Sequence, residues 1–365
     1  MLFFLSVIVI LIVIVFLFVQ QSSFGRLPSR KRLETVKQSP YYKGGQFQNL
    51  SPTPNLTEGA SLYTVFREFF FGKHERKKPV DVLPSVKTNL QQLDISENIL
   101  VWFGHSSYFI QIDGKRFLVD PVFSGAASPV SFTTRSFAGA DIFKPEDMPS
   151  IDYLVITHDH WDHLDYSTVL KLKHKTGKII CGLGVGEHFE RWGFDISKII
   201  EKQWNETAEL ENGFTLHATP ARHFSGRGFS RNKSLWMSYV LQTPSMKIYI
   251  GGDSGYDTHF KMIGDQYGPF DLAILECGQY DKNWRYIHTH PEEFVKAAKE
   301  INARKILMVH WAKFQLGNHP WDEPIIKVSR YAAAINLPLL TPMIGEKVEL
   351  KSENQQFAGW WEGLN

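Results

Sequence analysis

The chain has 365 residues, 43% hydrophobic and 21% charged, enough for one large or two ordinary domains around a well-packed core. A formal net charge of +2 gives no electrostatic footprint for nucleic acid, so no such partner is expected. Cys181 and Cys277 stand far apart, each beside apolar residues; they exclude a disulfide framework and read as buried thiols in a reducing compartment.

Residues 2–19 are apolar throughout except Ser6. As a helix they rise about 27 Å, close to the thickness of a hydrocarbon core. A cleaved signal peptide fits less well, because there is no basic leader, the run is too long, and no small-residue cleavage site follows. Arg26, Arg30, Lys31, Arg32 and Lys37 come after it. The expectation is a single transmembrane helix within residues 1–22, with the body on the cytoplasmic side.

Residues 23–84 read as a linker and membrane-proximal segment, with 39–60 rich in Pro, Gly, Ser and Asn. Leu62, Val65, Phe66, Phe69 and Phe70 then fall on one face of a helix, and Lys73, Arg76, Lys77 and Lys78 follow. Such an element can lie on anionic lipid or pack on the body, and packing is the plainer reading. Strand-like runs cover 99–103, 108–112 and 116–119, with Asp113-Gly114 as a hairpin turn and Asp120 ending the third. Residues 151–156 (IDYLVI) read as a buried strand and 166–173 as a helix.

Between those two lies His158-Asp159-His160-Trp161-Asp162-His163. Three imidazoles and carboxylates this dense repel when charged and desolvate badly when buried; a divalent cation relieves both problems. In an extended segment His158 and His160 point the same way and reach one ion. Asp162 and His163, past the bend, face a second point about 3.5 Å away, the usual two-metal separation.

The stretch THDHWDHLD resembles the signature of the metallo-β-lactamase superfamily. WFGHSSYFIQIDGKRFLVDPVFS, TPARHFSGRG with SLWMSYVL, GGDSGY, YIHTHPEEF and MVHWAKF are similar to the branch containing N-acylphosphatidylethanolamine-hydrolysing phospholipase D and the ascorbate-phosphate lactonases. The similarity runs from about Val101 to Gly345. It implies that Asp120 helps hold the metal-bearing loop. His105, in GHSS, matches a segment lining the family's active site; it is a candidate substrate contact or a structural hydrogen-bonder.

Farther along, His223 follows a strand-like LHATPA, and the resemblance makes it the third ligand of the first ion. Runs at 237–241 and 247–250 read as strands, the second entering Gly251-Gly252-Asp253. A carboxylate can bridge two cations where an imidazole cannot, which makes Asp253 the bridge. After a strand at 271–275 come Tyr280 and His288; His288 aligns with a position near the phosphate in the phospholipase branch, while His290 has no counterpart. Pro291 opens a helix reaching about residue 301, and a strand at 305–309 ends in His310, completing the second set with Asp162 and His163. His74, His174, His188, His217, His259 and His319 fall in no pattern and read as surface.

The expected architecture is an α/β fold, an αββα sandwich spanning residues 85–352, preceded by the transmembrane helix and followed by a tail at 353–365. Two Zn2+ ions are expected, with iron or manganese accepting the same ligands. Asp162, Asp253 and His288 are the candidate catalytic residues, and His105, Tyr280 and His288 the candidate substrate contacts. No Cys occupies the metal motif, which argues against the antibiotic-hydrolysing lactamases. The expected reaction is phospholipase D-type hydrolysis of N-acylphosphatidylethanolamine or a related membrane phospholipid, with the bilayer as partner and Phe66, Phe69 and Phe70 taking acyl chains. A lactonase acting on a soluble phosphorylated substrate and a membrane-tethered scaffold with structural metals are the competing readings.

Overall fold

Apolar residues alternate between two destinations along the central strands, and that alternation sets the architecture. The computed structural model describes residues 2–72 and 75–365, without the side chains of Leu2, Leu62, Phe69 and Phe70. The readings placed on Lys73, His74 and those side chains therefore lie outside the described residues.

The N-terminal part carries helices α1 (Leu2–Val19), α2 (Arg30–Gln38) and α3 (Leu62–Phe71) and a small hairpin of β1 (Tyr42–Lys43) and β2 (Gln46–Phe47). The first large sheet contains β3 (Ile99–Trp102), β4 (Tyr108–Ile112), β5 (Lys115–Val119), β6 (Ile151–Ile156), β7 (Thr176–Gly182) and β8 (Ile199–Lys202), with α4 (Tyr166–Leu172) and α5 (Gly186–Arg191) between the later strands. The second contains β9 (Thr207–Glu209), β10 (Thr215–Thr219), β11 (Ser238–Gln242), β12 (Lys247–Ile250), β13 (Leu272–Glu276), β14 (Ile306–Val309) and β15 (Leu339–Leu340), with α6 (His259–Tyr267), α7 (Pro291–Ile301) and α8 (Glu323–Ala334). A last strand, β16 (Lys347–Glu349), returns to pair with β3, so the order is β16-β3-β4-β5-β6-β7-β8 in one seven-stranded sheet and β15-β14-β13-β12-β11-β10-β9 in the other.

Side chains alternate across a strand. Leu100, Trp102, Tyr108, Ile110 and Ile112 join the core shared with β11 and β12, while Ile99, Val101 and Phe109 join the cluster under α4 and α5. This is the expected αββα sandwich. Truncating one of its fully buried aromatics, such as Phe109, would cost about 3–5 kcal/mol. Local signals act where they were read. Asp113 and Gly114 both take positive φ (47° and 79°), as a two-residue hairpin turn requires. Pro291 opens α7, and Asn302 closes it in the left-handed conformation.

The N-terminal segment departs from expectation. Among the described residues no helix is long and apolar enough to cross a membrane. The expected transmembrane span, and the single-pass arrangement built on it, are not supported: a helix of 18 residues rises about 27 Å, short of about 30 Å of hydrocarbon. Its apolar side chains are nonetheless exposed from Phe3 to Leu17. The last turn folds onto the body, Phe18 packing edge-on against Phe24 (5.3 Å) and Phe24 against Trp161 (5.0 Å). Arg32 of α2 then pairs with Glu187, Glu190 and Glu201, each at 2.7 Å.

The Pro/Gly-rich stretch is built in as well. Val36 and Phe47 are fully buried in the main core, and Phe47 N–H donates to Asn232 O at 2.8 Å. Farther on, Glu68 of α3 accepts from Asn283 (2.8 Å), Arg76 pairs with Asp322, and Lys77 bonds Asn318 (3.0 Å). This element packs on the body while leaving Tyr63, Phe66 and Phe71 exposed.

Candidate metal centre

Both sheets aim the same ends of their strands at one place. The His158–His163 loop follows β6, His223 follows β10, Asp253 follows β12 and His310 directly follows β14. Such strand ends are where α/β folds place their sites. Gly252 (φ 61°) lets the Asp253 loop press against its neighbour; a Cβ there would meet Met237 O at 2.6 Å. Positive φ at His105 (53°) and His310 (72°) stores strain, held by cross-bracing: His310 N–H donates to His105 O (2.9 Å) and His105 N–H to Trp311 O (2.8 Å).

All seven expected ligand residues are brought together. His158, His160 and His223 offer ring nitrogens within 4.8 Å of one another. His160 Nδ1 lies 2.9 Å from His158 Nε2 and 3.2 Å from His223 Nε2. Asp162, His163 and His310 form a second group with His105. Asp253 stands between the groups, Oδ2 at 3.2 Å from His163 Nε2 and 3.7 Å from His223 Nε2, and Oδ1 at 3.2 Å from His310 Nδ1.

The donors fit divalent cations. His160 Nε2, His163 Nε2, His310 Nε2 and Asp253 Oδ1 are buried without a hydrogen-bond partner among the described residues. Unpartnered buried polar atoms are costly, and converging nitrogens and carboxylate oxygens are what a cation satisfies. The electrostatics agree. Burial lowers His158, His223 and His310 well below the ordinary imidazole value and takes His160 down to about 4, leaving neutral rings. Burial would also lower His163, but Asp253, Asp162 and Asp120 around it raise it well above. Burial would raise Asp253, yet His163 and His310 hold it well below the usual carboxylate range.

Around the ligands sits an orienting layer. Asp120 accepts from Thr157 N–H (2.8 Å) and Thr157 Oγ1 (2.6 Å) and lies 2.8 Å from His163 Nδ1. Ser106 Oγ is 2.8 Å from His310 Nδ1. Asp159 points away from the ligands and is gripped by Gly226 N–H (2.6 Å), Ser234 Oγ (2.7 Å) and His188 Nε2 (3.1 Å). His188 Nδ1 in turn accepts the N–H of Arg26, so the N-terminal segment reaches the metal loop through two side chains.

Several expectations need correction. His105 is fully buried with Nε2 2.8 Å from Asp162 Oδ2, so it reaches substrate only by way of Asp162. Tyr280 donates its hydroxyl to Glu323 Oε1 (2.7 Å), stacks on the ring of His319 and packs at a tilt on His290, so its hydroxyl is engaged by α8. His290, given no role at the site, is the N-cap of α7, in keeping with that reading. His188 and His259, read as surface, are 2% exposed. His288 does reach the site: Nδ1 is 3.9 Å from Asp253 Oδ2, and Glu276 and Asp253 raise its basicity against the effect of burial. Thr157, Ser106, Glu276 and Arg227 were missed, because each acts through tertiary neighbours that leave no spacing in the sequence.

A cavity of about 440 Å³ opens beside His160 and Asp162. Val15, Phe18 and Val19 of α1 form one wall and Phe224 and Phe229 another. Phe66 is not among its lining residues.

Residues 115–311 match the family described as "Beta-lactamase superfamily domain". An uncharacterised protein of Mycobacterium tuberculosis (strain H37Rv) is 35% identical over 336 residues, covering 89% of this chain and 88% of that one. The N-acyl-phosphatidylethanolamine-hydrolyzing phospholipase D 1 of Caenorhabditis elegans is 34% identical over 233 residues, 59% of this chain and 64% of the relative. A metallo hydrolase of Ignicoccus hospitalis shares the fold, with a TM-score of 0.53 at 21% identity over 69% of this chain and 98% of that one. Fold, site and relatives together define a metal-dependent hydrolase. The chain belongs to the beta-lactamase superfamily.

Proposed function

We propose that this hydrolase is a phosphodiesterase of phospholipase D type. It cleaves N-acylphosphatidylethanolamine, or a close phospholipid relative, to phosphatidic acid and an N-acylethanolamine. The observation that carries the reading is the cavity beside His160 and Asp162, lined by Arg227 and Arg231 together with apolar side chains from the end of the exposed apolar helix α1. A helix of that length can dip into one leaflet, and the cavity then lies where an acyl chain can enter from the bilayer. The likeness to the Caenorhabditis elegans phospholipase D supports the same substrate class.

His158, His160 and His223 would hold one zinc-class ion and Asp162, His163 and His310 a second, with Asp253 between them. When bound, such a pair supplies a water activated near neutral pH and neutralises charge on a phosphoryl group. Iron or manganese suits the same donors. The chain's own residues supply the rest. Asp120 and His105 orient His163 and Asp162. A water oxygen bonds to phosphorus as the P–O bond to the N-acylethanolamine oxygen breaks. The electron pair stays on that oxygen, which takes a proton from His288; the proton lost by the water keeps the balance.

Mixed-micelle assays with labelled N-acylphosphatidylethanolamine test the reading. Both products are expected, abolished by chelator and by His163→Ala. Inactivity on every phospholipid, beside rapid opening of a sugar-phosphate lactone, would hand the site to the lactonase class.

A further inference from the structure

We infer that Glu276 is a positioning residue for His288, an inference that rests on the phosphodiesterase reading for the reaction it serves. Glu276 ends β13 and is 3% exposed. Its Oε1 lies 3.1 Å from His288 Nδ1 and accepts the backbone N–H of Thr289 at 2.9 Å, while Ser254 N–H stands at 3.4 Å. Oε2 is buried and has no hydrogen-bond partner among the described residues. Bracing of the two loops accounts for Oε1 and would be served by a neutral amide. A buried carboxyl with one oxygen idle is costly unless a side-chain partner is held by the other.

His288 is that partner. Its ring is stacked on His310 at 5.1 Å and 22°, and lies 5.0 Å from His223. Its side chain is 11% exposed, whereas those of His158, His163, His223 and His310 are each 1% exposed or less, so part of the ring stays accessible. Because Glu276 holds Nδ1, the opposite nitrogen, Nε2, is the one left to meet the departing oxygen. Glu276 thus fixes which nitrogen faces the reaction. The competing role is metal ligation, since Glu276, His288 and His310 offer atoms within 4.8 Å of one another.

Glu276→Gln, His288→Ala and the double variant separate these roles in the full-length protein. Two probes are used: N-acylphosphatidylethanolamine in mixed micelles, whose alkoxide needs a proton, and bis(p-nitrophenyl) phosphate, whose phenolate does not. Glu276→Gln should keep the wild-type metal content and lower kcat on the lipid about 10–100-fold with KM within about twofold. Its loss on the nitrophenyl ester should be at least about tenfold smaller, and the double variant no slower than His288→Ala. In 15N spectra of imidazole-labelled protein, the His288 resonances, identified by their absence in His288→Ala, should report a proton on Nδ1 that Glu276→Gln disturbs.

Metal loss in Glu276→Gln, equal losses on both probes, or additive effects would overturn the assignment; so would unmoved His288 resonances, whatever the substrate. If Glu276→Gln misfolds, Glu276→Asp keeps the charge and should show the same pattern more weakly. Unchanged lipid hydrolysis in His288→Ala would defeat the role given to His288 in the reaction, a failure distinct from that of Glu276.

Discussion

The Arg227 guanidinium lies over the Trp161 ring, 3.9 Å from its centroid, in the middle of the metal loop. The same group donates to the carbonyls of Asp159 (2.9 Å), Leu164 (2.6 Å) and Ser23 (2.9 Å). One planar fork therefore joins the loop bearing four ligands to the segment that follows α1. Burial takes its pKa down to about 10, which leaves it charged at neutral pH.

Arg227→Lys should destabilise the protein by about 3 kcal/mol or more, because an ammonium cannot reach three carbonyls in a fixed fan and leaves some unpaired. Urea unfolding at neutral pH measures this. A lysine variant as stable as wild type would remove the structural role given to the fork.

Asp253 touches both ligand groups, while His160 belongs to one. Wild-type protein should carry about two ions per folded chain, Asp253→Ala fewer than one, and His160→Ala about one. Elemental analysis on folded, desalted protein decides; fewer than half an ion per wild-type chain would sink the binuclear assignment.

Asp120 belongs to none of the candidate ligand groups yet holds His163 and Thr157 through three contacts. Asp120→Asn should weaken metal affinity about 10–100-fold with the fold intact, the usual effect of losing a partner of a ligating His. Competition against a zinc chelator gives the number. Unchanged affinity would mean that His163 is oriented by its neighbours alone.

His259 is buried against Ser254 (3.1 Å), and burial takes its pKa from 6.5 down to about 4. Between those values the unfolded chain binds a proton that the folded chain lacks. Stability is therefore lost as pH falls through that window, by on the order of 3 kcal/mol from this group. His259→Gln should show a correspondingly flatter dependence of unfolding free energy between pH 6.5 and 4. Parallel curves for the two proteins would contradict it.

The metal loop was legible because its chemistry is local: ligand types, spacing and a preceding apolar strand all fall within a dozen residues. Asp253 and His310 were legible as single polar residues at strand ends. Glu276 and Arg227 were not, since an acidic residue after LAIL and an arginine in a Gly/Ser loop look the same whether solvated or buried. The same limit produced the errors. Tyr280 was placed by its neighbours in sequence, but its hydroxyl is taken by Glu323 on α8. His188 lacked any spacing signal, yet it links Arg26 to Asp159 across most of the N-terminal half.

The return of β16 to the edge of β3 has a consequence for biosynthesis. The sheet that carries the His158–His163 loop stays open at that edge until residues 347–349 have been made. His310 emerges roughly 150 residues after His163, about 8–30 s later at ordinary ribosomal speeds. A nascent chain thus displays four exposed ligands well before their partners exist, at a stage when a stray metal would meet an incomplete set. All seven candidate ligands are present only once His310 has been made, and β16 closes the edge of β3 later still.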